Sequence, residues 1–369
     1  MNPSANPSAY GWLAALVMAS SVATAHAEGA GLNLYNWSDF IAKGTVPRFE
    51  KESGIRVKYD VFDGDETLQA KMLTGRAGYD VVVPSASFVG KQLEAGVYQP
   101  LDKARIPNLA NLDPSLMKYM AEVDRGNRYT VPWAWGTTGL GYNLTQVQKR
   151  LGNDVALDRW DILFKPEYLS KLKDCGVSLL DSPQDVFGSA LIYLGKDPNS
   201  HNPADYQQAF ELLRKVRPYI TQFNSNGYIN DLANGDICFA LSWSGDVTMA
   251  SRRAQEAHRS YKLKYYIPKG GSILSFQVMA IPKDAPHPEA AMRWINYILR
   301  PEVQAEISNE VFYPNANLPG KALVRADIRN DTSVFPPESV LSTLIMEKTI
   351  PADIQRLQNR LWTQLKTGR

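Results

Sequence analysis

Residues 32–40 read LNLYNWSDF and join the pattern of a β-strand to a short group of aromatic and polar side chains. Apolar residues alternate along the first half of the segment, as they do in a half-buried strand. The strand then ends in Trp37, Ser38 and Asp39. A strand end requires none of these side chains, so we ask which sheet holds the strand and what an indole, a hydroxyl and a carboxylate would bind there.

The residues that follow alternate between strand and helix patterns. Strand patterns occur in IRVKYDVF (55–62) and in YDVVVPS (79–85). Helix patterns cover residues 45–53, a segment capped by Asp65, and residues 88–93. This βαβαβ succession predicts an α/β protein with an open parallel sheet that is covered by helices on both faces.

Two separate parts of the chain end strands with an indole and a carboxylate. Besides the first strand, ICFALSW (237–243) is followed by Ser244, Gly245 and Asp246. In open α/β sheets, ligands bind beyond the carboxyl ends of the strands, where Ser85 and Ser87 also fall. We therefore predict that both groups face one cleft. The alternative is that these Ser and Asp residues only cap helices and turns.

Two further β-like runs flank a second strand-and-helix section at about residues 140–272: VPWAWGTTGLGYN (131–143) before it and SILSFQVMAIP (272–282) after it. A chain of 369 residues favours two domains, and these runs are candidates for strands that pass between the domains as hinges.

The chemistry of the sequence points to amine binding and not to catalysis. The metalloprotease, nucleophile-elbow, phosphate-loop and dinucleotide motifs do not occur in a suitable context. Aromatic faces attract an ammonium group, and a buried ammonium requires a carboxylate partner. The alternative for Trp133, Trp135 and Trp243 is that they only fill the core. A net charge of +2 with scattered basic residues gives no argument for nucleic acid or an anionic membrane as a partner.

The N-terminus has the pattern of a secretory signal peptide. Residues 11–18 (GWLAALVM) form a short apolar run, and Ala25-His26-Ala27 resembles a cleavage site, although residues 1–10 contain no Lys or Arg. The apolar run is shorter than a membrane span, which needs about 18 residues. We predict a signal peptide over residues 1–27, a periplasmic location and no membrane insertion.

Cys175 and Cys238 are the only cysteines, and in an exported chain two cysteines favour one disulfide. Two buried free thiols are the alternative. Two cysteines and four scattered histidines give no metal-ligand spacing, so neither a metal nor a cofactor is predicted.

Several long motifs, in the same order along the chain, resemble those of the periplasmic polyamine-binding proteins of ABC transporters, most closely the putrescine-binding type. The resemblance covers about residues 30–369. The motifs are YNWSDF (35–40), VVPSASF (82–88), TTGLGYN (137–143), YLGKDPNS (193–200), YINDLANGDIC (228–238), WSGD (243–246) and FYPNAN (312–317).

The resemblance implies a two-lobed type II periplasmic substrate-binding protein fold with hinge-crossing strands, which acts as a monomer and delivers a small amine to ABC permease subunits. It also implies a disulfide between Cys175 and Cys238. Lobe 1 would comprise residues 28–134 and 277–310, and lobe 2 residues 138–272 and 314–369, with hinges near 135–137, 273–276 and 311–313. The implied ligand-binding residues are Trp37, Ser38, Asp39, Phe40, Ser85, Asp185, Trp243, Asp246, Ser275, Gln277 and Tyr313.

Four of these positions differ from the putrescine-binding pattern. Ser275 stands where that pattern has an aromatic residue, Gln277 replaces an aspartate, Phe40 a tyrosine and Asp185 a glutamate. With one carboxylate fewer, a desolvated dication is harder to hold. We expect either weak putrescine binding or another ligand, such as a longer polyamine, a guanidino amine or an ω-amino acid.

Two other functions compete with the transport receptor. One is an adaptor whose ligand-bound form is recognised by a membrane sensor protein. The other is an enzyme that uses Asp39 and Asp246 as acid and base; because no nucleophile or metal motif accompanies that pair, no enzyme activity is predicted.

Overall fold

A computed structural model of the protein describes residues 31–368. The predicted signal peptide lies outside the described residues. Within residues 31–368, no helix combines the length and the apolar character needed to cross a membrane.

The strands of the described residues form one mixed sheet. Their order is β2-β1-β3-β9-β4-β7-β5-β6, with β10 beside β9 and β8 beside β4. The strands are β1 (Gly31–Trp37), β2 (Arg56–Phe62), β3 (Val81–Val82), β4 (Thr130–Asn143), β5 (Val177–Leu179), β6 (Gln222–Phe223), β7 (Phe239–Trp243), β8 (Leu263–Tyr266), β9 (Ser272–Ala280) and β10 (Leu344–Met346).

The predicted open parallel sheet is confirmed for the strands of the βαβ units, but the whole sheet is mixed. The βαβ units do give parallel pairs, since β1 is parallel to β2 and to β3, and β5 is parallel to β6 and to β7. However, β9 is antiparallel to both β3 and β4, and β4 is antiparallel to β7. The difference arises because β4 and β9 are long strands that belong to no βαβ unit.

Helices connect the strands. They are α1 (Thr45–Ser53), α2 (Asp65–Leu73), α3 (Ala86–Glu94), α4 (Pro114–Met120), α5 (Leu144–Leu151), α6 (Asp161–Phe164), α7 (Pro166–Leu172), α8 (Pro183–Tyr193), α9 (Pro203–Val216), α10 (Tyr228–Asn234), α11 (Ser244–Glu256), α12 (Pro288–Ile298), α13 (Pro301–Val311), α14 (Leu318–Leu323), α15 (Ala326–Arg329), α16 (Glu338–Leu341) and α17 (Ala352–Thr367).

Strand β4 changes partners halfway along its length. Its first part, Thr130 to Thr137, pairs with β9, whereas Thr138 to Asn143 pairs with β7 and β8. The change of partner falls at the end of the hinge segment predicted near 135–137. The lobe and hinge boundaries themselves stay a prediction.

Separate hydrophobic clusters surround the two halves of the sheet. One cluster packs around β1 and β9 and includes Leu32, Trp133 and Phe276. Another packs around α8 and α9 and includes Phe187 and Tyr206. Each half of the sheet therefore has its own core.

The predicted disulfide between Cys175 and Cys238 is confirmed. The two Cα atoms are 5.5 Å apart, and the bond joins the turn after α7 to the residue before β7. It fixes the start of the strand that leads to Trp243.

Candidate functional site

All eleven predicted site residues line one cavity at the carboxyl ends of β1 and β7. They come from distant parts of the chain. The antiparallel pairing of β4 with β9 and with β7 brings these parts together. The residues that the sequence predicted as one site therefore lie around one cavity. Their contact with a ligand stays a prediction.

Aromatic rings form the walls of the cavity. Trp37 and Trp243 meet edge to face with their ring centroids 6.2 Å apart, and Phe40 meets Tyr313 in the same way at 4.9 Å. Trp37 is oriented because its indole N–H donates to the Val83 carbonyl over 2.9 Å. These walls can cover the methylene chain of a small ligand.

Two tryptophans whose role the sequence left open belong to the core. The indole N–H groups of Trp133 and Trp135 donate to the backbone carbonyls of Phe40 and Asn315, each over 3.2 Å, and both side chains are buried. Neither residue lines the cavity. Trp133 instead supports the cavity wall from behind, through Phe40.

Asp246 is a buried carboxylate with two tyrosine partners. The hydroxyl of Tyr313 donates to one oxygen over 2.6 Å, and that of Tyr228 donates to the other over 2.7 Å. Only 7% of the residue is exposed. Burial raises the pKa of Asp246 to about 6, although both hydroxyl groups favour the charged form. The sequence analysis gave no role to Tyr228, since its partner lies 18 residues further along the chain.

Asp185 is a second buried carboxylate, in the first turn of α8. It accepts hydrogen bonds from the hydroxyl of Thr138, from the hydroxyl of Ser182 over 2.7 Å and from the indole N–H of Trp243 over 3.3 Å. Burial raises its pKa. The indole of Trp243 is thus fixed beside the Asp185 carboxylate, which is the position expected of an aromatic side chain next to a cation site.

Asp39 lies at the rim of the cavity, with 61% of its side chain exposed. Its backbone φ of 54° turns the chain sharply after β1. One carboxylate oxygen is 3.1 Å from a guanidinium nitrogen of Arg253, and the same guanidinium group binds Asn230 over 2.8 Å. Asp39 therefore has a cationic partner, Arg253. Among the described residues, the hydrogen-bonding partners of Asp246 include no cation.

Five further acidic residues of the cavity lining were missed by the sequence analysis: Asp63, Asp65, Glu66, Asp181 and Glu347. The prediction that Asp65 caps α2 is wrong, because the helix begins at Asp65 itself, after Gly64. Its carboxylate instead accepts the Ser85 backbone N–H over 2.8 Å. Burial raises the pKa of Asp65 to about 7 and also raises the pKa values of Glu66 and Glu347.

The cavity is therefore lined by an excess of negative charge. Its lining contains eight Asp or Glu side chains and, among residues 31–368, no Lys, Arg or His. The described residues also contain no group of three or more potential ligands arranged for a metal ion. An organic cation with more than one positive charge is the chemistry that such a cavity fits.

The raised pKa values predict how the stability of the ligand-free protein depends on pH. A carboxyl group whose pKa is higher in the folded state contributes stability at low pH and loses it as the pH rises through the folded pKa. For Asp246 and Asp65 this loss falls between about pH 4 and pH 7. Each pKa unit corresponds to about 1.4 kcal/mol, so the two groups together contribute several kcal/mol.

We expect the melting temperature to fall with rising pH more steeply in the ligand-free wild type than in the variant D65N/D246N, in which neither side chain titrates. Thermal unfolding of both proteins at several pH values measures the difference. Parallel profiles would contradict the assignment. The charged side chains that affect the pKa of Asp246 are Asp39 and Arg253, and those that affect the pKa of Asp65 are Glu66 and Asp185. The experiment leaves all four unchanged.

Comparisons with known proteins agree with this geometry. A sequence model described as bacterial extracellular solute-binding protein matches residues 45–326. The chain is 50% identical over 363 residues to the putrescine-binding periplasmic protein PotF of Escherichia coli (strain K12), covering 97% of this chain and 98% of that protein. It is 47% identical over 359 residues to the putrescine-binding periplasmic protein SpuD of Pseudomonas aeruginosa (strain UCBPP-PA14), covering 97% and 98%.

A solved structure is also similar. A putative spermidine/putrescine ABC transporter protein from Listeria monocytogenes superposes with a TM-score of 0.82 at 31% identity, covering 92% of this chain and 99% of that chain. The predicted resemblance to periplasmic polyamine-binding proteins and the predicted periplasmic binding-protein fold are confirmed. The chain belongs to the bacterial extracellular solute-binding protein family.

Proposed function

We propose that this protein captures a polyamine or a closely related small cationic amine in the periplasm and delivers it to the permease of an ABC transporter. The observation that carries the proposal is the cavity, in which eight acidic side chains and aromatic walls occur without a basic residue in the lining. The relatives named as putrescine-binding periplasmic proteins support it.

The proposed contacts follow from the geometry of the site. Asp246 would accept hydrogen bonds from one ammonium group, while Tyr228 and Tyr313 keep its carboxylate oriented. Trp37 and Trp243 would cover the methylene chain of the ligand. The remaining predicted site residues would form the rest of the cavity lining around the ligand.

The acidic lining also narrows the ligand classes that the sequence left open. A ligand that carries its own carboxylate would place a further negative charge among eight acidic side chains, of which only Asp39 and Asp181 form salt bridges within the described residues, and like charges repel. We therefore favour polyamines and guanidino amines over ω-amino acids. The proposed partner is a set of permease subunits, and we expect a monomer.

A thermal-shift screen of residues 28–369 tests the proposal. The panel contains putrescine, cadaverine, agmatine, spermidine, γ-aminobutyrate and 5-aminovalerate. A ligand at about 100 times its dissociation constant adds about 2.7 kcal/mol of stability, which shifts the melting temperature measurably. We expect stabilisation by one or more of the four polycationic amines and none by the two amino acids.

Calorimetric titration of each stabilising amine then gives its affinity. Stabilisation by the amino acids alone would contradict the charge argument. The absence of any response across the panel would contradict the proposed ligand class.

A further inference from the structure

Glu347 follows β10 and lies on the cavity side of the sheet. Its backbone N–H donates to the Leu274 carbonyl over 2.9 Å, which continues the parallel pairing of Met346 with Leu274. The next pair in this register is Glu347 with Ser275. Aligned residues of parallel strands project to the same face, so the Glu347 side chain lies beside Ser275, and both residues line the cavity.

Gln277 lies on this same face, because side chains two residues apart on a strand point the same way. Its side-chain oxygen is buried and has no hydrogen-bond partner among the described residues. A buried acceptor without a donor is costly. Gln277, Ser275 and Glu347 therefore line the same side of the cavity.

Among the described residues, the charged side chains that contribute to the raised pKa of Glu347 are Asp185, Asp65 and Glu66, all of them acidic. The adjacent Lys348 instead pairs with Glu122 over 2.6 Å. Within residues 31–368, Glu347 forms no salt bridge. Burial correspondingly raises its pKa.

Asp246 and Glu347 have different neighbours, which places them at different parts of the cavity. Asp246 is surrounded by Tyr228 and Tyr313, with Asp39 and Arg253 beyond them. The acidic neighbours of Glu347 come from α2 and α8. A ligand with two separated cationic groups could therefore contact both carboxylates.

We propose that Glu347 binds the second cationic group of the ligand while Asp246 binds the first, so that Glu347 supplies the charge that Gln277 lacks and selects amines with at least two positive charges. This inference rests on the proposed function. It makes Glu347 a specificity-determining residue of the site.

The test compares E347Q with the wild type. The control is E256Q, which removes the same charge from an exposed position at the end of α11. Calorimetry gives the affinity of each protein for putrescine, which has two positive charges. Competition against putrescine gives the affinity for n-butylamine, a monocation of the same carbon chain length, so that weak binding is still measured.

We expect E347Q to bind putrescine roughly 10- to 100-fold more weakly than the wild type, since it loses one charge-assisted contact. Its affinity for n-butylamine should stay within about threefold, because that ligand uses only Asp246. E256Q should behave as the wild type with both ligands. A ligand-free melting temperature of E347Q at or above the wild-type value shows that the fold is retained.

Three results would overturn the inference: unchanged putrescine affinity in E347Q, an equal loss for both amines, or a loss of the same size in E256Q. If E347Q does not fold, E347A provides the same comparison, since it also removes the charge. Unchanged putrescine binding in a folded E347A would then count against the inference. Failure of the wild type to bind any amine would instead contradict the proposed function.

Discussion

Asp246→Asn should weaken amine binding at least about 100-fold, the largest loss that we expect from a single substitution in the site. Only 7% of Asp246 is exposed, and two tyrosine hydroxyl groups hold its carboxylate. An ammonium bound there would be a buried ion pair, and removing one partner of such a pair costs about 3–5 kcal/mol. Calorimetric titration of the strongest amine in the panel measures the loss.

The matched control for this substitution is Asp236→Asn, which removes a carboxylate from an exposed position close to β7. It should leave the affinity unchanged. An affinity for D246N within about threefold of the wild-type value would show that Asp246 is not the principal anionic contact. The melting temperature of ligand-free D246N establishes that the variant is folded.

Replacing both Cys175 and Cys238 with serine should lower the free energy of unfolding by about 4 kcal/mol, because the bond closes a long loop. The two cysteines are 63 positions apart, and both are buried. Without the bond, the unfolded chain gains conformational entropy. Urea unfolding of the wild type and the double variant measures the difference.

A reducing agent provides the control for the disulfide prediction. It should lower the stability of the wild type toward that of the double variant and leave the double variant unchanged. Equal stability of the two proteins under oxidising conditions would contradict the prediction. Since the bond lies at the start of β7, we expect amine affinity to change less than stability.

The strand-and-helix alternation and the carboxyl-end rule predicted that the residues after β1 and β7 face one cleft, and these residues do line one cavity. Trp37 and Trp243 end strands with nearby carboxylates, and this local pattern is visible in the sequence. The mixed sheet was not predicted, because strand direction depends on which distant strands pair. The direction of β9 follows from its contacts with β3 and β4, which no local pattern records.

The electrostatics of the site were less predictable than its position. Glu347 belongs to no motif, and it reaches the cavity only because β10 pairs with β9. Arg253 is 214 residues from Asp39, and its pairing with that carboxylate depends on the tertiary fold. The replacement of a carboxylate by Gln277 is visible in the sequence, whereas the presence of Glu347 in the same cavity is not.

The contact between Trp37 and Trp243 has an optical consequence. Indole fluorescence responds to the local electric field, and the N–H of Trp243 points at the Asp185 carboxylate. A cation bound beside this carboxylate would change the field on the ring, whereas Trp133 and Trp135 are buried outside the cavity lining. We therefore expect the intrinsic tryptophan emission to differ between the empty and the filled cavity.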